Sequence, residues 1–260
     1  MFARKNSAAS VEKNDLVLRG QDGGELITIP SEIVDNMSRM LTELMYQSIM
    51  PRTLSCLSAL SGEGVTFNTL ALAATLASDV EAKVCLVELN WWLPGLQRML
   101  MGEMNDTAPR RWQKQQALLE KPALAVSPGV AGVLRGTATL EESLIKTGIP
   151  NLDLLPAGDL PLIDRAAIAR GETLKQFLAT LREEYEYVIL DVPALAVTSD
   201  AIALASLGDA TAVIVLQGVT QTTTVKAALD SIKHMRILGV VFNRVKMHTP
   251  HWILRALAQE

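Results

Sequence analysis

The residues with the clearest chemical potential lie in Ser58-Ala59-Leu60-Ser61-Gly62-Glu63-Gly64-Val65-Thr66. Two glycines let a backbone approach an anion closely, and free N–H groups at the start of a following helix attract phosphate with the help of the helix dipole. Gly62, Glu63, Gly64, Val65 and Thr66 are therefore the candidate phosphate-facing residues. The pattern G/A-x-x-x-x-G-K-S/T is met by Ala59, Gly64 and Thr66, but Val65 occupies the lysine position. Valine can neither bridge two phosphates nor neutralise charge developing between them, and a catalytic cation in phosphoryl transfer is worth roughly 10³-fold or more in rate. ATP hydrolysis is expected to be very slow or absent. The same residues would also serve as a plain strand-to-helix turn, and the loop by itself does not separate the two readings.

Two carboxylates extend the constellation. Glu88 closes the apolar run Lys83–Leu89, and Asp191 closes Tyr187-Val188-Ile189-Leu190. Ligands of parallel sheets gather at the carboxyl ends of strands, and hard oxygen ligands there suit Mg²⁺. Thr66 and Asp191 form the natural metal pair, with Glu88 the acid nearest in kind to one that activates a hydroxyl or water. A cap after a buried strand is the alternative for Asp191, and a solvated strand end the alternative for Glu88.

The elements needed to hold these groups are legible along the chain. The run Thr53–Leu60, a turn, and Phe67–Ala77 with Leu70, Ala73, Ala74 and Ala77 at helical spacing read as strand, turn and helix. Further strands are expected at 83–89, 152–156, 187–191, 210–216 and 237–242. Helices are expected at 31–49, 128–146, 160–184 with a break at Gly171, and 222–235. Ser31 is a candidate cap of the first helix, whose Ile33, Met37, Met40, Leu41, Leu44 and Met45 form an apolar face. That face suits a core-facing helix, its methionines also an adaptable docking surface. Alternating strands and helices imply an α/β fold with a mostly parallel central sheet flanked by helices. Residues 1–30 are expected to be a flexible N-terminal arm, 31–260 a single domain, and the polar stretch 103–123 a surface insertion.

Composition narrows the function. The 260 residues are 49% hydrophobic with a formal charge of −4, and scattered basic residues offer no clustered face for nucleic acid. The richest apolar stretch, Ala201–Leu216, is broken by Gly208 and Asp209, too short to span a bilayer, and no hydrophobic signal core follows Met1–Lys5. Cys56 and Cys85 sit in apolar runs and read as buried thiols of a reducing cytoplasm. His234, His248 and His251 lack metal-ligand spacing. Trp91 and Trp92 read as packing, with a partner anchor the alternative. The tail Trp252-Ile253-Leu254-Arg255-Ala256-Leu257 is a short amphipathic segment suited to docking on its own domain rather than on a membrane.

Taken in order and spacing, these motifs resemble the bacterial tyrosine kinases of polysaccharide assembly, of the CpsD/CapB/Wzc type within the MinD/ParA branch of P-loop ATPases. The resemblance covers roughly residues 35–245. The family's S-A-x-P-G-E-G-K-S/T falls on Ser58–Thr66, its D-x-D-x-R on Glu88-Leu89-Asn90-Trp91-Trp92, and its D-x-P on Asp191-Val192-Pro193. Gly132–Leu140, Leu152–Gly158 and Gly239–Arg244 are similar to further family stretches, and by resemblance Asn243 would contact adenine. The chain departs from the family at Val65, Asn90 and Trp92. Its tyrosines, Tyr46, Tyr185 and Tyr187, do not form a tail cluster, and only Asp35 of the oligomerisation helix pattern is kept. The resemblance implies ATP or ADP with Mg²⁺ as possible cofactors and a membrane polysaccharide co-polymerase or another exopolysaccharide-assembly subunit as partner. It also implies a homo-oligomer and a cytoplasmic location peripheral to the inner membrane. With the losses, it implies a catalytically impaired regulatory or scaffolding subunit. The alternative is an active ATPase or tyrosine kinase that borrows a cation from Arg110, Arg111 or Lys114 or from a neighbouring subunit.

Overall fold

The computed structural model describes residues 15–20, 23–102 and 126–244. The expected insertion at 103–123, with Arg110, Arg111 and Lys114, lies outside the described residues, as do His248, His251 and the tail from 245 onward.

Residues 16–29 depart from the expected arm. β1 (Leu16–Arg19) and β2 (Glu25–Ile29) pair antiparallel, with Leu18, Leu26, Ile27 and Ile29 buried. The apolar residues on either side of Gly20, Gly23 and Gly24 were the missed signal, since the glycines mark a hairpin turn rather than a loose tail. α1 (Ser31–Tyr46) follows, and the cap is not the one expected: Ser31 is the first helical residue and its N–H donates to Asp15 Oδ1 at 2.8 Å.

β3 (Thr53–Ser58), buried throughout, leads into α2 (Val65–Asp79). Alanines at 71, 73, 74 and 77 are buried along α2, and side chains this small let the helix lie close against the sheet. β4 (Val84–Glu88) and α3 (Leu96–Leu100) come next. The stretch expected as one helix near 128–146 is instead α4 (Gly129–Leu134), α5 (Leu140–Ser143) and β5 (Ile145–Lys146). Gly136 breaks it at φ +67°, and Thr139 and Glu142 start α5 with a reciprocal capping box. β6 (Leu152–Leu155) precedes α6 (Leu162–Arg170) and α7 (Glu172–Glu184), divided at Gly171 as expected. β7 (Tyr187–Asp191), α8 (Asp200–Ala205), β8 (Ala210–Leu216), α9 (Thr222–Ser231) and β9 (Ile237–Asn243) complete the described chain.

Among the described residues the main sheet runs β5-β6-β4-β7-β3-β8-β9, and all its pairings are parallel except β5 with β6. Strands buried on both faces explain the unbroken apolar runs in the sequence. One core lies between the sheet and α1, α2 and the β1–β2 hairpin, and a second lies between its other face and α7, α8 and α9. Both cysteines are buried free thiols, and burial pushes each thiol's pKa up. No helix of the described residues is long and apolar enough to cross a membrane.

Candidate functional site

The turn between β3 and α2 is held from three sides. From the loop after β7, Leu195 N–H and Ala196 N–H donate to Ser58 O and Ala59 O at 2.9 and 3.1 Å. From within the turn, the buried Glu63 carboxylate accepts Leu60 N–H (2.8 Å), Leu216 N–H (3.1 Å) and the Thr220 hydroxyl, which moors the turn to the end of β8. From β9, Asn243 Nδ2 donates to Glu63 O at 2.8 Å. Glu63 is thus engaged by its side chain in the protein, and only its backbone can face a ligand. Gly64 has φ +91° and packs so closely that an added Cβ would collide with Asn243 Nδ2, which accounts for glycine at this position.

So moored, the backbone N–H groups of Gly62, Glu63, Gly64, Val65 and Thr66 carry no hydrogen bond to the described protein, and they gather at the N-terminus of a helix of 15 residues. Such a nest is an anion site, so the loop fits a phosphate group. The side chain of Val65 packs, partly buried, against the core beneath α1 and α2 and brings no charge to the loop.

The two strand-end carboxylates meet. Glu88 and Asp191 are register partners across β4 and β7, each 1% exposed. Glu88 is well supplied with donors: Gly95 N–H at 2.5 Å, Leu96 N–H at 2.9 Å and Ala157 N–H at 3.0 Å. It therefore also ties down the start of α3 and the loop after β6. Burial pushes its pKa up, against the pull of those three N–H groups. Among the described residues, Asp191 has no hydrogen-bond partner for either oxygen. Burial, then the neighbouring Glu88, push its pKa well up, and the Thr66 hydroxyl approaches closely enough to temper the shift without completing a hydrogen bond. Donors favour the ionised form on Glu88, so a proton held by the pair resides on Asp191. An orphaned buried carboxylate beside a second one and a threonine hydroxyl fits a hard divalent cation.

The other predicted residues divide. Trp91 is buried with its indole N–H on Ala157 O at 2.9 Å, and Trp92 is partly buried with the Arg165 guanidinium 5.9 Å over its ring. Both are packing residues here. Asn90 accepts Leu93 N–H at 3.1 Å, a turn role. Gly95 lies against the Thr66 hydroxyl, so the loop after β4 reaches the phosphate loop. Sequence reading missed Thr220 and the Leu195–Ala196 segment, which carry no motif: Thr220 acts through a lone loop hydroxyl and Leu195–Ala196 through backbone N–H groups.

No protein-family model matches the chain. Over 119 residues, 45% of this chain, it is 27% identical to tyrosine-protein kinase CpsD of Streptococcus pneumoniae serotype 4, spanning 52% of that protein. Over 215 residues, 81% of this chain, it is 24% identical to the succinoglycan biosynthesis transport protein ExoP of Rhizobium meliloti, spanning 24% of it. The chain therefore spans about half, or less, of the length of these curated relatives. The chimerical protein CapA2B2 superposes with a TM-score of 0.68 at 20% identity, over 81% of this chain and 84% of that one. The kinase domain of the Escherichia coli tyrosine kinase ETK gives 0.68 at 18%, over 84% and 77%. MinD of Pyrococcus horikoshii, solved with Mg-ADP, gives 0.54 at 20%, over 80% and 77%. The fold is that of the P-loop nucleoside triphosphatases.

Proposed function

We propose, for a chain that is a homologue of the CpsD- and ExoP-type bacterial tyrosine kinases on a P-loop ATPase fold, a role in exopolysaccharide biosynthesis and export as a regulatory or scaffolding subunit with impaired catalysis. The observation that carries the reading is Val65. Its side chain is spent on the core beneath α1 and α2, while the anion nest, Thr66 and Asp191 around it are kept. A site of this kind can hold phosphate and a cation but lacks the charge that would bridge β- and γ-phosphates as the transferring bond breaks.

When bound, Mg²⁺ would supply charge neutralisation to a nucleotide's phosphates, with Thr66 and Asp191 as its holders. The chain's own contributions are separable from it. The N–H groups of Gly62 to Thr66 would orient phosphate oxygens. Glu88, held by three backbone donors, keeps the β4 end, α3 and the loop after β6 in one arrangement. Asn243, whose amide N–H is given to Glu63 O, supports the loop from below, with its carbonyl oxygen left to meet an adenine. The partner in this reading is a membrane co-polymerase or another polysaccharide-assembly subunit, which would bring the protein to the inner membrane from the cytoplasmic side, with self-association a further feature.

Isothermal titration with ATP and Mg²⁺ on the wild type and on Val65→Lys tests this. The wild type is expected to bind weakly or not at all, and Val65→Lys to gain at least about tenfold in affinity, equivalent to ~1.4 kcal/mol. Micromolar binding with turnover by the wild type would overturn the proposal in favour of an active ATPase or tyrosine kinase with a borrowed cation. Loss of that turnover on joint replacement of Arg110, Arg111 and Lys114 would then identify the source.

A further inference from the structure

β9 is an edge strand of the sheet and is only partly buried on both faces. On one face Ile237 and Val240 pack with Val225, Leu229 and Ile232 from α9 and the turn after it. On the other, Leu238 and Val241 are partly buried against the core under α1 and α2. A cavity of about 220 Å³ opens there, between α1, α2, β8 and β9, with Met37, Met40, Leu44, Leu72, Ile214 and Val241 on its walls. Asn68 is its single polar side chain. A Cβ on Gly239, at its floor, would meet nothing within 4 Å. While β3 is wholly buried, β9 is only partly buried along its length.

The chain itself continues from this strand with a segment of the matching chemistry. After Pro250, which suits a first helical turn, come Trp252, Ile253, Leu254, Arg255, Ala256, Leu257 and Ala258. At helical spacing Ile253, Leu254, Leu257 and Ala258 share a face and Arg255 and Gln259 lie opposite. Residues 245–251 can reach about 23 Å when extended, as far as the roughly 23 Å of a seven-residue strand. A helix over 252–258 rises about 10 Å, which fits within the cavity-lining face of β9. The chain can thus turn at the top of β9 and come back along that face.

We infer that residues 252–258 dock in cis over the groove between α1 and β9, with Ile253, Leu254 and Leu257 directed at Met37, Met40 and Val241. The adaptable methionines receive side chains of the same molecule. The groove ends at Asn68, whose Nδ2 donates to Gly64 O at 2.8 Å, so the docked segment abuts the residue that fixes the phosphate loop. The inference does not depend on the kinase reading.

A nitroxide on Gln259→Cys tests it in the full chain, because the only native cysteines, Cys56 and Cys85, are buried and escape labelling. The methyl resonances of Met37 and Met40 in ¹³C-methyl-methionine protein are expected to lose intensity to the spin label, and to regain it on reduction with ascorbate. Met99, beside the other end of the same core, is the internal reference. Leu254→Asp with Leu257→Asp is expected to abolish the loss, as is Gly239→Leu, which fills the groove. No broadening, or broadening that survives both variants, would overturn the inference. So would broadening that appears when spin-labelled protein without ¹³C is mixed with unlabelled-spin ¹³C protein, since the occupant would then be a second copy.

Discussion

Glu63→Ala is the perturbation that best separates a loop held by its own side chains from one held by ligand. The carboxylate is 2% exposed and takes three donors: Leu60 N–H at 2.8 Å, Leu216 N–H at 3.1 Å and the Thr220 hydroxyl. A hydrogen bond to a charged acceptor contributes about 1.5–3 kcal/mol, and an orphaned buried donor costs about 1–3 kcal/mol. Leu60, Leu216 and Thr220 are not fully buried, so water can reach part of what is released. The expected loss is therefore about 3 kcal/mol rather than the sum of three full terms. Glu63→Gln keeps the volume and one carbonyl. That carbonyl best serves the end that accepts from both Leu216 and Thr220, which turns the amide NH₂ against Leu60 N–H, and the expected loss is about 1–2 kcal/mol. Urea unfolding followed by circular dichroism, with an unchanged m-value, reads both. Hydrogen exchange at the Leu60 amide should accelerate in both variants. If Glu63→Ala lies within about 0.5 kcal/mol of the wild type, or if Gln costs as much as Ala, the reasoning that this carboxylate moors the loop is wrong.

Gly64→Ala is expected to cost about 1–2 kcal/mol for a non-glycine residue at φ +91° and a further ~1 kcal/mol as Asn243 is driven off Glu63 O. Adding Asn243→Ala should recover the clash, so that the double variant is less damaged than the sum of the singles, and strict additivity in the unfolding cycle would refute the contact. Asp191 holds a proton in the folded chain that the unfolded chain releases above about pH 4. Its contribution to stability is full below that pH and is lost as pH rises towards the raised folded value, so melting temperature without added divalent cation should fall with pH over this window. Asp191→Asn should remove that slope and raise stability at pH 8, and an unchanged slope would refute the assignment. For Val65→Lys the titration already described should show the gain in ATP affinity without loss of fold by circular dichroism.

How much was legible follows from the length scale of each signal. β3, the turn and α2 were readable because period, glycines and a buried run coincide within about twenty residues. The strands at 84–88, 187–191 and 210–216 were readable because burial on both faces leaves an uninterrupted apolar string. The hairpin at 16–29 was obscured by its glycines, and the stretch 128–146 by the assumption that apolar spacing continues through Gly136 and Thr139. Pairing was not readable at all. That Glu88 faces Asp191 follows from the order β4-β7-β3, which only the packed sheet reveals. The same holds for Pro156-Ala157-Gly158, whose purpose becomes clear once Pro156 O and Ala157 O receive the N–H groups of Val130 and Ala131 at the start of α4.

How the loop keeps its shape with valine at position 65 has a physical answer in the same contacts. A phosphate loop could in principle depend on its cation and ligand to stay ordered, in which case losing the cation would erode the loop. Here the ties come from elsewhere: Glu63 to the end of β8, Asn243 from β9, and the loop after β7 onto Ser58 and Ala59. None of them involves the side chain at position 65, and Val65 itself adds apolar contact with the core. Backbone likeness to kinases and ATPases therefore speaks to the fold alone, and the proposed chemistry turns on the side chain at 65 and on the carboxylate of Asp191, which has no hydrogen-bond partner among the described residues.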